Sequence, residues 1–263
     1  MTGALRLVSV EQGYDPRDYA LIAFGGAGPI HANALARLLG SWPAIIPPGP
    51  GVLCALGDST TAVRDERSRT FVRTFKSISA GEVAQILRDL AADASHGLKQ
   101  ENVAAADMQT SYQVEVRYRG QGLRLSVDVR LDELEQRGLV AISEKFDAEH
   151  KRLFTFTLSL DHELVTLRAA VRGKSIQIER PAVKRGGKDP KAAEVATQAV
   201  FMEGKSLTAR VYDRAKLEAG NVMAGPAIVM EMDSTTVILP EHRGHVDPHG
   251  NILIYPDSHP AVK

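Results

Sequence analysis

A single cysteine, Cys54, stands in the 263 residues, which excludes an intramolecular disulfide and points to a reducing compartment. A charge excess of either sign is also missing. The chain has 32 basic residues against 32 acidic ones and a pI near 7.1, so it lacks the usual footprint of a polyanion-binding protein. No apolar run approaches the length of a membrane span. The opening MTGALRLVSVEQG has neither a long apolar core nor a small-residue cleavage pattern, so it does not read as a signal peptide. No internal repeat or low-complexity tract is present. These absences lead to the expectation of a cytoplasmic protein with no nucleic-acid and no membrane partner. The length suffices for one large domain or two small ones.

What is present is concentrated in Asp18 to Asn33, DYALIAFGGAGPIHAN. Tyr19 to Phe24 is an apolar run of strand length, and a buried parallel strand is expected there. Gly25, Gly26, Ala27 and Gly28 remove side chains where the backbone must turn and where a ligand can approach closely. Pro29 suits a first helical turn, and helical spacing of apolar residues follows from Ile30 to Leu39. A strand, a glycine turn and a helix start together offer backbone N–H groups and a positive dipole end, which suits a nucleotide or phosphate. The same pattern also serves a tight turn that binds nothing. Before this unit, Leu5 and Val8 mark an apolar helix face closed at Gly13.

A second unit follows directly. Trp42 to Pro47 reads as a second apolar strand, Pro47 to Gly51 as a rigid turn, and Val52 to Ala62 as a helix whose small residues Cys54, Ala55 and Gly57 allow close packing against a neighbour. Repeated β-α pairs indicate an α/β fold with parallel strands. The pattern changes near Arg64. A strand around Phe71 to Phe75, a helix capped by Ser79 running to about Lys99, and two period-two strands at 110–118 and 123–130 are expected. Helix then runs from Leu131 to about Arg152, and a strand spans Glu163 to Gly173. Pro181 to Glu194 reads as an exposed linker or loop. Short strands at 197–202, 207–212, 227–231, 235–239 and 252–255 suggest a small antiparallel barrel or sandwich.

Four segments together resemble the C-terminal part of the hydantoinase A / 5-oxoprolinase family, which includes acetone carboxylase subunits. The first is Val8-Ser9-Val10-Glu11-Gln12-Gly13 with Asp15-Pro16-Arg17-Asp18, Phe24-Gly25-Gly26-Ala27-Gly28-Pro29 and His31-Ala32. The second is Pro47-Pro48-Gly49-Pro50-Gly51-Val52 with Ala55-Leu56-Gly57. The third is Arg117 to Gln121. The fourth joins Gly225 to Val229, Asp233 to Val237 and Asp247 to Asn251.

The resemblance implies the end of an actin-like ATPase core over residues 1–66, an α+β domain over 67–180 and a β-rich C-terminal domain over 181–263. It implies ATP-dependent ring opening of a cyclic amide such as a hydantoin or 5-oxoproline. ATP and Mg²⁺ are the implied cofactors, a B-type subunit is the implied partner, and Gly25, Gly26, Ala27, Gly28 and His31 fall on the adenosine side of the nucleotide. A carboxylase-type subunit and a non-catalytic piece that docks on a B-type subunit are the alternatives. The sequence has no Asp-x-Gly-Gly-Thr-type phosphate loop. The chain is therefore expected to be a truncated or split A subunit whose phosphate-binding lobe precedes Met1 or lies on another chain. Two smaller departures are Leu153-Phe154-Thr155, where the family has a Tyr-Gly pair, and Arg119, where an apolar residue is common.

Other polar residues admit structural roles beside functional ones. His31 faces a ligand or packs against a nearby carbonyl. Asn33 contacts the loop backbone or caps. Asp58, Ser59 and Thr60 read as exposed helix residues, and Asp233 to Thr236 as a turn held by side-chain-to-backbone bonds. His242, His245 and His249 with Asp247 have loose metal-like spacing without a helix or Cys pair to organise them. Arg117 and Gln121 line an interface or complete a hairpin.

Overall fold

The computed structural model describes residues 1–176 and 182–262. It is a mixed α/β protein that divides into two compact units, Met1–Ser59 with Ile178–Lys263 and Thr60–Gln177. This differs from three domains in series: the β-rich C-terminal region shares a sheet and a core with the N-terminal β-α units. The boundary expected between 180 and 181 falls outside the described residues.

In the first unit a five-stranded sheet runs in the order β1 (Leu21–Ile22), β2 (Ala44–Ile46), β13 (Ile252–Pro256), β12 (His242–Val246) and β9 (Val222–Ala224). β1 and β2 are parallel, as expected for successive β-α units, while β13 joins β2 antiparallel with Ile45 opposite Leu253. The C-terminal strands therefore do not close on themselves as a barrel. A second sheet has the order β11 (Ser234–Ile238), β10 (Ala227–Glu231), β8 (Lys205–Asp213) and β7 (Glu194–Met202), with β8 and β10 parallel. Helix α2 (Gly28–Leu39) buries Ala32 and Ala36 in a core with Ile46, Tyr212, Met223, Val229, Ile238, Ile252 and Ile254.

Three local expectations change in this unit. β1 is an outer strand bonded only to β2 among the described residues, and Ile22 and Phe24 are about half exposed rather than buried. Helices α1 (Thr2–Val8) and α3 (Leu53–Thr60) have no buried residue. The segment read as a linker is tied down from Val183 onward: Val183 N–H donates to Pro248 O at 2.9 Å and Gly186 N–H to Ala219 O at 2.8 Å. Pro181 lies outside the described residues.

The second unit is a two-layer structure. Its antiparallel sheet has the order β3 (Arg64–Thr74), β6 (His162–Arg172), β4 (Gln109–Tyr118) and β5 (Leu125–Val129). Period two in β4 places Val114, Val116 and Tyr118 in the core, opposite Val83 and Leu87 of helix α4 (Ala80–Gln100). Burying each such aliphatic side chain contributes about 1.5–3 kcal/mol. Ser79 caps α4 by accepting the Glu82 N–H at 3.1 Å, as its sequence position requires. Gly138, at φ +70°, interrupts the expected helix after Leu131 into α5 (Leu131–Arg137) and α6 (Val140–Phe154).

α6 ends at Thr155, which adopts the left-handed conformation at φ +70° and donates its N–H to Lys151 O at 2.8 Å. The turn that a glycine would make freely is kept by a β-branched residue, which is strained there. Thr155→Gly is expected to raise stability by about 1 kcal/mol, read as a higher denaturant midpoint. An unchanged or lower midpoint would show that the threonine side chain offsets the strain.

Candidate functional site

Two glycine loops and one hairpin tip meet in the first unit. After β1 the chain turns at Gly25, which sits at φ +83° and donates its N–H to Pro50 O at 2.7 Å. Only glycine adopts that conformation without strain. Gly26 and Ala27 lead into α2, whose first turn carries Pro29, Ile30 and His31. Ala27 at the N-cap has no side-chain acceptor, so no side chain caps α2 there. Ile30 and His31 are exposed.

The second loop, Pro47 to Gly51, follows β2. Gly49 lies at φ +61°. A methyl group on Gly51 would lie 2.6 Å from the Asp233 carbonyl oxygen, so the close approach of the tip of the β10–β11 hairpin demands glycine. That tip, Glu231 to Ser234, bonds to both loops. Ser234 Oγ donates to Gly26 O at 3.0 Å, and Asp233 Oδ2 accepts the Val52 N–H at 3.1 Å. Glu231 Oε2 accepts the Gly49 N–H at 3.2 Å. The turn expected at Asp233-Ser234 therefore exists, but its hydrogen bonds reach across the fold to residues about 200 positions earlier.

Glu231 also meets Arg214, with Nη1 and Oε1 3.2 Å apart and side chains only 9% and 11% exposed. Arg214 Nη2 donates further to Ile46 O at 3.0 Å and Gly250 O at 2.8 Å. Burial pushes the Glu231 carboxyl above its ordinary value, opposed by Arg214 and the Gly49 N–H. Burial likewise draws the Arg214 guanidinium down, opposed by Glu231. Neither residue stood out in the sequence. The available signal was an acidic residue on the inward register of the apolar strand Ala-Ile-Val-Met-Glu.

Of the other candidate residues, Asn33 is buried and accepts the Leu239 N–H at 2.8 Å, which ties α2 to the end of β11. Asp58 and Ser59 are exposed on α3. His242 is buried beside Trp42 with Nδ1 bonded to Pro240 O at 2.7 Å. His245 lies against Tyr255, and Asp247 accepts the N–H groups of His249 and Asn251, each at 2.8 Å, closing a turn. Among the described residues no three His, Cys, Asp or Glu side chains converge as metal ligands. In the second unit Arg117 pairs with Glu163 at 2.6 Å.

The family model for hydantoinase/oxoprolinase matches residues 1–67, and that for the hydantoinase/oxoprolinase C-terminal domain matches 72–254. The chain belongs to the hydantoinase/oxoprolinase family. It is 33% identical over 97% of its length to protein MJ0964 of Methanocaldococcus jannaschii, of which it covers 36%. It is 28% identical over 97% of its length to caprolactamase subunit alpha of Pseudomonas jessenii, covering 38% of that protein. The crystal structure of the ATP-dependent caprolactamase from Pseudomonas jessenii superposes with a TM-score of 0.85 over 98% of this chain and 38% of the other. The nucleotide-free structure of acetone carboxylase shares the fold, with a TM-score of 0.69 at 18% identity, covering 97% of this chain and 38% of that one. The chain thus spans less than two fifths of the length of these relatives.

Arg214→Met would leave Glu231 buried without its counter-charge and should cost about 3 kcal/mol of unfolding free energy. In that variant the carboxyl pKa rises further. A raised folded-state value gives stability that is present below the unfolded pKa and is lost as pH rises through the folded one. The deficit against wild type should therefore be larger at pH 8 than at pH 5 in denaturant titrations, and adding Glu231→Gln should recover part of it. A deficit independent of pH would rule out the unpaired carboxylate as its cause.

Proposed function

We propose that this chain contributes the adenosine side of the nucleotide site, and the C-terminal scaffold, of an ATP-dependent hydrolase acting on cyclic amides. Gly26 and Gly28 carry the reading. A methyl group on either would find its nearest neighbour at 3.7 Å and 3.8 Å, in ordinary contact distance, and neither has a positive φ. The fold accounts for Gly25 and Gly51 but does not require glycine at 26 or 28. Bare backbone beside the uncapped start of α2 suits the close approach of a nucleotide. His31 is exposed in the same first turn, and in this reading it contacts the nucleotide.

Membership in a family named for hydantoinase and oxoprolinase, together with the likeness to an ATP-dependent caprolactamase, supports ATP as the co-substrate and a cyclic amide as the substrate class. Phosphoryl transfer from ATP to the amide oxygen, with release of ADP, removes the amide resonance; water then adds to the activated carbon, the ring C–N bond breaks as the nitrogen takes a proton, and a second water hydrolyses the acyl phosphate to carboxylate and phosphate. Among the described residues no three His, Cys, Asp or Glu side chains converge as metal ligands. The phosphate-binding lobe and its Mg²⁺ are assigned to another polypeptide segment, and a B-type subunit is the expected partner.

Calorimetry with ATP and Mg²⁺, on the chain alone and mixed with the N-terminal lobe of a relative, tests this. Binding in the mixture is expected. Gly26→Val and Gly28→Val should weaken it at least about tenfold, or roughly 1.4 kcal/mol, with unaltered thermal stability. Unchanged affinity in both variants would remove the glycine loop from the nucleotide site. Absence of binding in the mixture would favour a non-catalytic assembly role.

A further inference from the structure

In the second unit Leu167, Ala169 and Val171 of β6 lie in the cores beneath α4, so Arg168, Ala170 and Arg172 occupy the other face of the sheet. β3 and β4 begin, and β6 ends, at one end of that face. Arg172 there has Arg64 of β3 opposite it on one side and Gln109 of β4 on the other. The next row is Glu66, Ala170 and Ser111. Ala170 contributes only a methyl group, and the longer side chains around it wall a recess of about 340 Å³ lined by Arg64, Gln109, Thr110, Ser111, Ala170 and Arg172. Two guanidinium groups directly opposite one another repel and weaken a sheet, unless an anion lies between them. Protein carboxylates supply little of that anion. Arg64 Nη2 donates to Glu66, but Glu66 also takes Arg168 Nη1 at 2.9 Å. Arg172 forms no ion pair among the described residues, and its Nη2 reaches only the neutral amide oxygen of Gln109, at 3.3 Å. Ser111 Oγ donates to Ala170 O at 3.5 Å, long for a hydroxyl donor. The recess therefore has loosely held donors and an unbalanced positive charge.

We propose that this recess binds a phosphate group, held by Arg64 and Arg172 with the Ser111 hydroxyl as a further donor. Each guanidinium presents paired N–H donors that match two oxygens of one anion. A carboxylate has two oxygens and is satisfied by one guanidinium. A phosphate has oxygens enough for both arginines and the hydroxyl, and its double charge balances the two cations. Bound between them, it turns a repulsive cross-strand pair into an attractive one. All of these residues lie in one compact unit, and the inference does not rest on the nucleotide reading.

Calorimetric titration of the 263-residue chain with inorganic phosphate at low ionic strength tests this. Saturable binding is expected. Arg64→Gln and Arg172→Gln should each weaken it at least about tenfold. Arg172→Lys should recover part of the loss, since it keeps the charge without the fork. Arg130→Gln, at an exposed position outside the recess, should leave the affinity unchanged. In phosphate-free buffer Arg172→Gln should melt no lower than wild type, because the repulsion is gone, and saturating phosphate should raise the melting temperature of wild type but not of this variant. A parallel titration with glycerol phosphate identifies the source of the group: tighter binding of the ester names a phosphate monoester, and tighter binding of inorganic phosphate names the free ion, each in support of the site. Malonate bound as tightly as phosphate would overturn the assignment. So would the absence of saturable binding, or an affinity unchanged in both glutamine variants, which would place the phosphate elsewhere on the chain.

Discussion

The first unit depends on one buried ion pair. Glu231 ends β10 and Arg214 directly follows β8, the strand beside it, and both side chains also bond to backbone elsewhere: Gly49, Ile46 and Gly250. Taking both charges out of water is costly, and their attraction repays that cost only when the other donors and acceptors are also satisfied. Here they are. The pair therefore sets where the second glycine loop, the end of β2 and the turn before β13 lie relative to the β10–β11 hairpin. A hydrophobic pair of equal volume would fill the same space without holding any of these carbonyls or N–H groups in place.

From that anchor the hairpin tip sorts the glycines by purpose. Gly51 is bare because Asp233 sits where its side chain would be, and Gly25 because the chain reverses there with φ positive. Ser234 restrains the Gly26 carbonyl, so the loop before α2 is held rigidly while the start of α2 stays uncapped by any side chain. Rigid support around a bare stretch of backbone is what a ligand-approach loop needs, since binding then costs little ordering entropy. The β-rich C-terminal strands are thus the frame of the glycine loop, and not an appendage to it.

The second unit follows simpler rules. Period two in its strands and the 83, 87, 91, 94, 98 spacing of buried residues in α4 agree with one another, and Ser79 starts the helix where a cap belongs. Thr155 shows the opposite case. A threonine occupies a left-handed helix end, and the backbone keeps the turn because the surrounding core determines where the chain must go after α6.

Local order was legible in the residues alone wherever its cause was local. The Ser79 cap, the proline-glycine turn after Ile46, the alternation of β4 and the helical spacing after Gly28 each act over a few residues, and each element formed where it was expected. The family resemblance was legible for the same reason, since its motifs are short runs of turn residues. Partnership was not legible. Nothing in Ala44 to Ile46 says that it hydrogen-bonds to Ile252 to Ile254, nothing in Tyr19 to Phe24 says that the strand has one neighbour and not two, and nothing near Arg214 names Glu231. Period two fixes which face of a strand is apolar but not which strand lies beside it. That choice rests on contacts such as that of Ser234 with Gly26, 208 positions apart, and only the folded core makes it.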